Sequence, residues 1–161
     1  MILDSNLIFS GAISAAGVVT GQTVAATDSS VLSTNTVDLA PLSGNQVPDI
    51  GSGEPFGVSF SILAAPSAGT SVGFQLVQAD DAALTSNLQV IGQTGAIPVA
   101  NLTTGQLFRV DWPRVAPFSP KRYVGVRYVT VGAVAGLSVF AATAKDHPDK
   151  ATFYKSGYTV A

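Results

Sequence analysis

His147 is the only imidazole in the 161 residues and cysteine is absent, so the side chains that most often carry covalent or metal chemistry are nearly missing. A Ser-His-Asp triad would have to use His147 as its base, and a metal site built from several imidazoles lacks its ligands. Disulfide frameworks, thiolate zinc sites and cysteine nucleophiles are excluded outright. His147 lies in Lys145-Asp146-His147-Pro148-Asp149-Lys150. Two acids there could orient the ring, but a histidine before proline in a charged segment reads as a solvated loop residue. Asp80-Asp81 offers paired carboxylates. Adjacent strand residues point to opposite faces and adjacent turn residues both meet water, so the pair reads as a turn or cap and not as an acid/base couple. No glycine-rich loop ends in Gly-Lys-Ser/Thr, which leaves no phosphate cradle. Asn101-Leu102-Thr103 fits the glycosylation acceptor pattern, a coincidence in a chain not expected to be exported. No catalytic residue, cofactor or metal ligand is assigned, and the chain is not expected to be an enzyme.

What remains is a chain built for contact. Hydrophobic residues make up 47% and charged residues only 11%, against about 25% charged in ordinary domains. So few charges rule against disorder and point to a subunit that hides part of its surface in an assembly. The charges are segregated: residues 1–108 hold seven acids and no Lys or Arg, whereas residues 109–161 hold all eight cations and three acids. A dipolar subunit follows if the two parts stay apart, and a neutral one if the fold interleaves them. A net charge of −2 with scattered cations supplies no phosphate-binding patch, so no nucleic-acid partner is expected. The apolar run Val131 to Ala144 falls short of the roughly 20 residues that span a bilayer, and Met1 to Ser5 carries no positive signal region. Neither a membrane span nor signal-directed export is expected.

The elements that would position such a surface are strands. Phe56, Val58, Phe60 and Ile62 alternate with Gly57, Ser59 and Ser61, and Val72, Phe74 and Leu76 repeat the period. Ala65 to Gly69 between them contains Pro66, so the two runs read as an antiparallel hairpin. Phe108, Val110 and Trp112 alternate likewise, and Val124, Val126 and Tyr128 turn at Gly132-Ala133 into Leu137, Val139 and Ala141 as a second hairpin. Weaker strands are expected at Asn6 to Ser10, Gly17 to Val24, Val31 to Leu39 and Leu88 to Gln93. Single helical turns are expected at Asp80 to Leu84 and Pro98 to Leu102. Ala12 to Ser30 and Ala40 to Gly53 read as the softest stretches. About nine short strands without a long helix predict an all-β chain, a two-sheet antiparallel sandwich or jelly roll. Phe56, Phe60, Phe74, Phe108 and Val126 are its expected core.

The β domain is expected to cover residues 1–144. Alternation stops at Ala144, and residues 145–161 bring Lys145, Lys150 and Lys155 together with Phe153, Tyr154 and Tyr158. Amphipathic aromatics among cations are what interfaces favour, so this segment is expected to be an interaction arm. A final edge strand folded on the same subunit is the alternative. Arg114, Lys121 and Arg122 join Lys145, Lys150, Phe153, Tyr154 and Tyr158 as expected contact residues. Trp112, Tyr123, Tyr154 and Tyr158 could instead stack on sugar rings, which keeps a carbohydrate-binding or host-adhesion module as the competing function. Trp112 shares a face with Phe108 and Val110 and reads as core.

Met1 to Ser10, Val37-Asp38-Leu39, Asp49 to Pro55, Thr94 to Pro98, Gly105 to Arg109, Arg122 to Tyr128 and Ser156 to Val160 occur in an order that resembles the jelly-roll capsid cement, or decoration, proteins of short-tailed bacteriophages. Residues 13–30 match that pattern poorly, and Ala40 to Gly51 is longer than expected for the family. The resemblance implies an architectural role on the outer surface of the virion capsid, with the protein made in the host cytoplasm. It implies as partners an HK97-type major capsid protein and further copies of the chain, a two-fold dimer first and a trimer as the alternative. It brings no catalytic residues with it.

Overall fold

The computed structural model describes residues 7–39, 57–112 and 121–143. Twelve strands follow in order: β1 (Ile8–Ser10), β2 (Ala12–Ile13), β3 (Val19–Thr20), β4 (Gln22–Thr27), β5 (Ser30–Leu32), β6 (Val37–Asp38), β7 (Gly57–Ala64), β8 (Ser71–Ala79), β9 (Gln89–Pro98), β10 (Leu107–Asp111), β11 (Tyr123–Val131) and β12 (Ala133–Thr143). β1 and β4 lie along the same side of β12 as two pieces of one strand position, and β5 and β6 lie in the same way along β11. One sheet then runs β1/β4-β12-β7-β10 and the other β5/β6-β11-β8-β9, with every pair antiparallel. Successive positions alternate between sheets except at β8 and β9, which is the jelly-roll strand order.

Period-two alternation sets what faces inward. Val58, Phe60 and Ile62 of β7, Val72, Phe74 and Leu76 of β8, Val110 of β10, Val124, Val126 and Tyr128 of β11, and Leu137, Val139 and Ala141 of β12 form one core between the sheets. Phe60, Phe74 and Val126 are fully buried and Phe108 packs half-buried against them, as their alternation predicts. Trp112 is also core, whereas Phe56 lies outside the described residues. Tyr128 Oη donates to Ser10 Oγ at 2.7 Å, a buried tie from β11 in one sheet to β1 in the other. Burial drives the Tyr128 phenol well above its ordinary range, with the Ser10 bond opposing the shift in part. The phenol is therefore a neutral structural donor.

Both expected hairpins are corrected. β7 pairs with β12 and β10, while β8 pairs with β11 and β9, so residues 65–70 carry the chain from one sheet to the other. β11 and β12 likewise belong to different sheets and are joined by an arch at Gly132. The arches brace each other: Ser67 N donates to Ala135 O at 2.8 Å and Thr70 N to Val131 O at 2.8 Å. Alternation assigns the inward face of each strand, and two inward faces are satisfied by opposition across the core as well as by side-by-side pairing.

Three smaller expectations shift. Asp80 to Leu84 forms turns and no helix, with Leu84 at φ 55°. Pro98 does precede a single 3-10 turn, Val99–Asn101. β9 continues through Pro98, beyond the expected end at Gln93. Ala12 to Ser30, expected to be soft, contains the β2-β3 hairpin and β4, and the weaker strand expected at Gly17 to Val24 is divided between β3 and β4.

Candidate functional site

The strand directions give the sandwich two chemically different ends. Asp38, Tyr123 and Ala79 are neighbours across β6, β11 and β8, and Gly57 lies opposite Asp111. Ile8 lies opposite Ala142. Leu39, Trp112 and Thr143 thus lie at one and the same end. Charge gathers there. Lys121 Nζ bonds Asp80 Oδ1 at 2.7 Å, and Arg122 binds both carboxylate oxygens of Asp38 at 2.8 Å each. The Arg122 guanidinium also lies 5.0 Å from the Tyr123 ring centroid. The fork-to-carboxylate geometry with Asp38 holds the Arg122 pKa above its ordinary value. Arg109 pairs with Asp111 on the same half of the sandwich. At the opposite end, the connections at 28–29, 65–70, 99–106 and 132 carry one charge, Asp28, whose carboxylate accepts from Gly132 N at 2.7 Å.

The segregated charge of the sequence is therefore interleaved in the fold: cations from the second part meet acids from the first at Lys121–Asp80 and Arg122–Asp38. Of the expected contact residues, Lys121 and Arg122 come together at this end. Arg114, Lys145, Lys150, Phe153, Tyr154 and Tyr158 lie outside the described residues, as does His147.

Residues 80–87 close the charged end against the outer face of the β11-β8-β9 sheet. Asp81 Oδ1 accepts from Ser86 N at 2.7 Å and Thr85 N at 2.9 Å, and its Oδ2 from Thr85 Oγ1 at 2.7 Å. Asp80 Oδ2 accepts from Asn87 Nδ2 at 2.7 Å. Leu84 is thereby turned inward over Gly125 and buried with Val77 and Ala79. A Cβ at Gly125 would lie 2.4 Å from Leu84 Cδ1, so Leu84 in this position packs directly on the bare Cα of Gly125. The two acids are structural acceptors facing different partners, as their reading as a turn requires.

Hydrogen bonding holds both carboxyls below their ordinary value of 3.8, chiefly Lys121 and Asn87 for Asp80, and Ser86 and Thr85 for Asp81. Since the folded values are depressed, their contribution is complete above the unfolded value and is lost as pH falls through the folded one. Amide exchange at Thr85 and Ser86, corrected for intrinsic rate, is expected to keep its protection down to about pH 4 and to lose it only below. Loss of protection beginning near neutrality would contradict this account of the loop.

A second feature was hidden in the soft stretch. β2 and β3 pair with each other and with neither main sheet. Ser14 N donates to Val18 O and Gly17 N to Ser14 O, which shapes the turn. This hairpin interrupts the strand position shared by β1 and β4, and it displays Ile13 (37% exposed), Val18 (58%) and Val19 (41%). These are three of the five exposed large hydrophobics among the described residues. The Gly17-Val18-Val19 run was the available signal: a turn residue beside two β-branched ones. Among the described residues no group of three His, Cys, Asp or Glu could hold a metal ion. No described helix is long and apolar enough to cross a membrane.

The model of the Bbp16 family, whose name is phage-related, matches residues 7–143. The match spans every described strand and most of the chain, so the chain belongs to that family. No curated protein matches it.

Proposed function

We propose that this member of the Bbp16 family is a non-enzymatic capsid cement protein, bound to the outside of a phage shell and bridging neighbouring subunits of an HK97-type major capsid protein. The observation that carries the reading is the β2-β3 hairpin, which pairs with neither main sheet while presenting Ile13, Val18 and Val19 to solvent. An apolar projection on a sandwich core contributes nothing to that core and suits contact with another protein. The ordered resemblance of the sequence to decoration proteins and the jelly-roll fold support the same reading.

A clamp that binds only the assembled lattice stabilises it by mass action. A homodimer, or alternatively a trimer, engages several capsid subunits and makes its later contacts intramolecular, so modest contacts per copy suffice. The arm at residues 145–161 and the cations Arg114, Lys121 and Arg122 are proposed to share this contact with the hairpin. No nucleic acid, membrane or cofactor enters the scheme.

A reconstruction of purified particles is expected to find the protein on the outer shell in capsid-scale copy number. A chain ending at Ala144 is expected to remain β-rich while its binding to cement-free expanded shells drops about tenfold or more. A few copies per particle together with measurable glycan affinity would replace the cement role with adhesion.

A further inference from the structure

We propose that the outer face of the β5/β6-β11-β8-β9 sheet docks a carboxylate displayed by a capsid subunit, with Arg127 as its anchor. Arg127, Gln75 and Gln93 are register neighbours across β11, β8 and β9. Arg127 Nε donates to Gln75 Oε1 at 2.7 Å, and Gln75 Nε2 donates to Gln93 Oε1 at 2.9 Å. The direction of this ladder is fixed by chemistry. A guanidinium can only donate, so Gln75 must turn its oxygen to Arg127, which leaves its amide nitrogen for the oxygen of Gln93. The groups left at the two ends are donors: the terminal nitrogens of Arg127 and the amide nitrogen of Gln93. A ligand for this face must therefore bring acceptors.

Charge narrows the choice. Among the described residues Arg109, Lys121 and Arg122 each meet an acid, whereas Arg127 meets the neutral Gln75. A carboxylate supplies both the missing charge and two acceptor oxygens for the free nitrogens of the fork. The Nε bond already holds the long side chain in place, which lowers the ordering cost of docking. The surroundings favour a protein surface over a small acid. Residues 80–87, with Leu84 over Gly125, bound the ladder on one side, whereas on the other Gly73 and Ala96, paired across β8 and β9, and Gly95 beside them raise no wall. Val129 and the 43% exposed Val131 continue the same face of β11 as apolar contact. A flat face of this kind suits a broad protein contact better than an enclosed ligand.

The inference rests on the proposed cement function, and one titration separates the two. Wild-type protein, Arg127→Gln, Arg127→Lys and Gln93→Glu are each titrated onto cement-free expanded shells at low and high salt, with thermal melting as the check on folding. Wild-type binding is expected to weaken with salt. Arg127→Gln is expected to bind about tenfold more weakly with a flatter salt dependence, and Arg127→Lys to recover part of the loss. Gln93→Glu, at an exposed position, places a negative charge at the other end of the ladder and is expected to weaken binding at unchanged melting. If wild type binds shells and both Arg127→Gln and Gln93→Glu bind equally well, the docking face is wrong while the cement function stands. If Arg127→Gln proves unstable, Gln93→Glu alone decides, and binding equal to wild type overturns the proposal. If wild type does not bind shells at all, the function itself fails.

Discussion

Phe60→Ala is expected to remove about 3 to 5 kcal/mol of stability, the range for deleting a large aromatic from a close-packed core. Phe60 is fully buried and, like Phe74, meets every other ring of a four-ring aromatic cluster. Its ring stacks on Phe108 at 5.4 Å between centroids, and meets Phe74 at 5.4 Å and Tyr128 at 6.3 Å edge-on. Phe74 also meets Tyr128 edge-on at 5.6 Å. The contacts join β7 and β10 of one sheet to β8 and β11 of the other, so the loss falls on the packing between the sheets. For a domain of this size each 1 kcal/mol moves the melting temperature by about 2 to 4 °C, so a fall of roughly 10 °C is expected. Leu107→Ala, at a 38% exposed position on β10, serves as the control and is expected to melt nearly as wild type. Equal melting of Phe60→Ala and wild type would mean that the ring does not fill the core.

The second large effect is expected at Gly69, in the arch from β7 to β8. Gly69 has φ 114°, and a Cβ there would stand 2.5 Å from Val134 Cγ2 and 3.0 Å from Val134 Cα. Gly69→Ala combines strain of about 1 to 3 kcal/mol for a side chain in that backbone region with about 1 to 3 kcal/mol for overpacking. Urea unfolding is the measurement. A fall in midpoint with unchanged slope is expected, because the arch is destabilised while the surface exposed on unfolding stays the same. An unaltered midpoint would show that the crossing does not depend on this backbone conformation. A simple surface hairpin would have absorbed the change locally. Here the adjoining arch at Gly132 lies against it, with Thr70 N bonded to Val131 O.

The sequence by itself determined the class of the fold and the inward face of most long strands. Val58, Phe60 and Ile62, or Val124, Val126 and Tyr128, can be buried on one side only if the chain is extended, because a two-residue period fits no helix. It also disposed of cysteine chemistry and of multi-histidine metal sites through the residue types present. It did not determine partners. Adjacent strands stand about 4.8 Å apart and facing sheets about 10 Å apart, and a connection as long as residues 65–70 can span either distance. Only the assembled sheets decided the matter, since β7 lies between β12 and β10 and has no edge left for β8. Part of the contact surface was legible: Lys121 and Arg122 stood out as cations in a charge-poor chain. Their acids, Asp80 and Asp38, are 41 and 84 residues away in sequence and became visible only when β11 was laid beside β8 and β6. A strand near β3 was expected at Gly17 to Val24, but β2 and its pairing into a separate hairpin escaped because the apolar residues there are too few for a periodic pattern. Leu84 escaped because a left-handed turn and a glycine on another strand bury it. In each case the deciding contact is nonlocal, and a local pattern records which face seeks burial without recording what covers it.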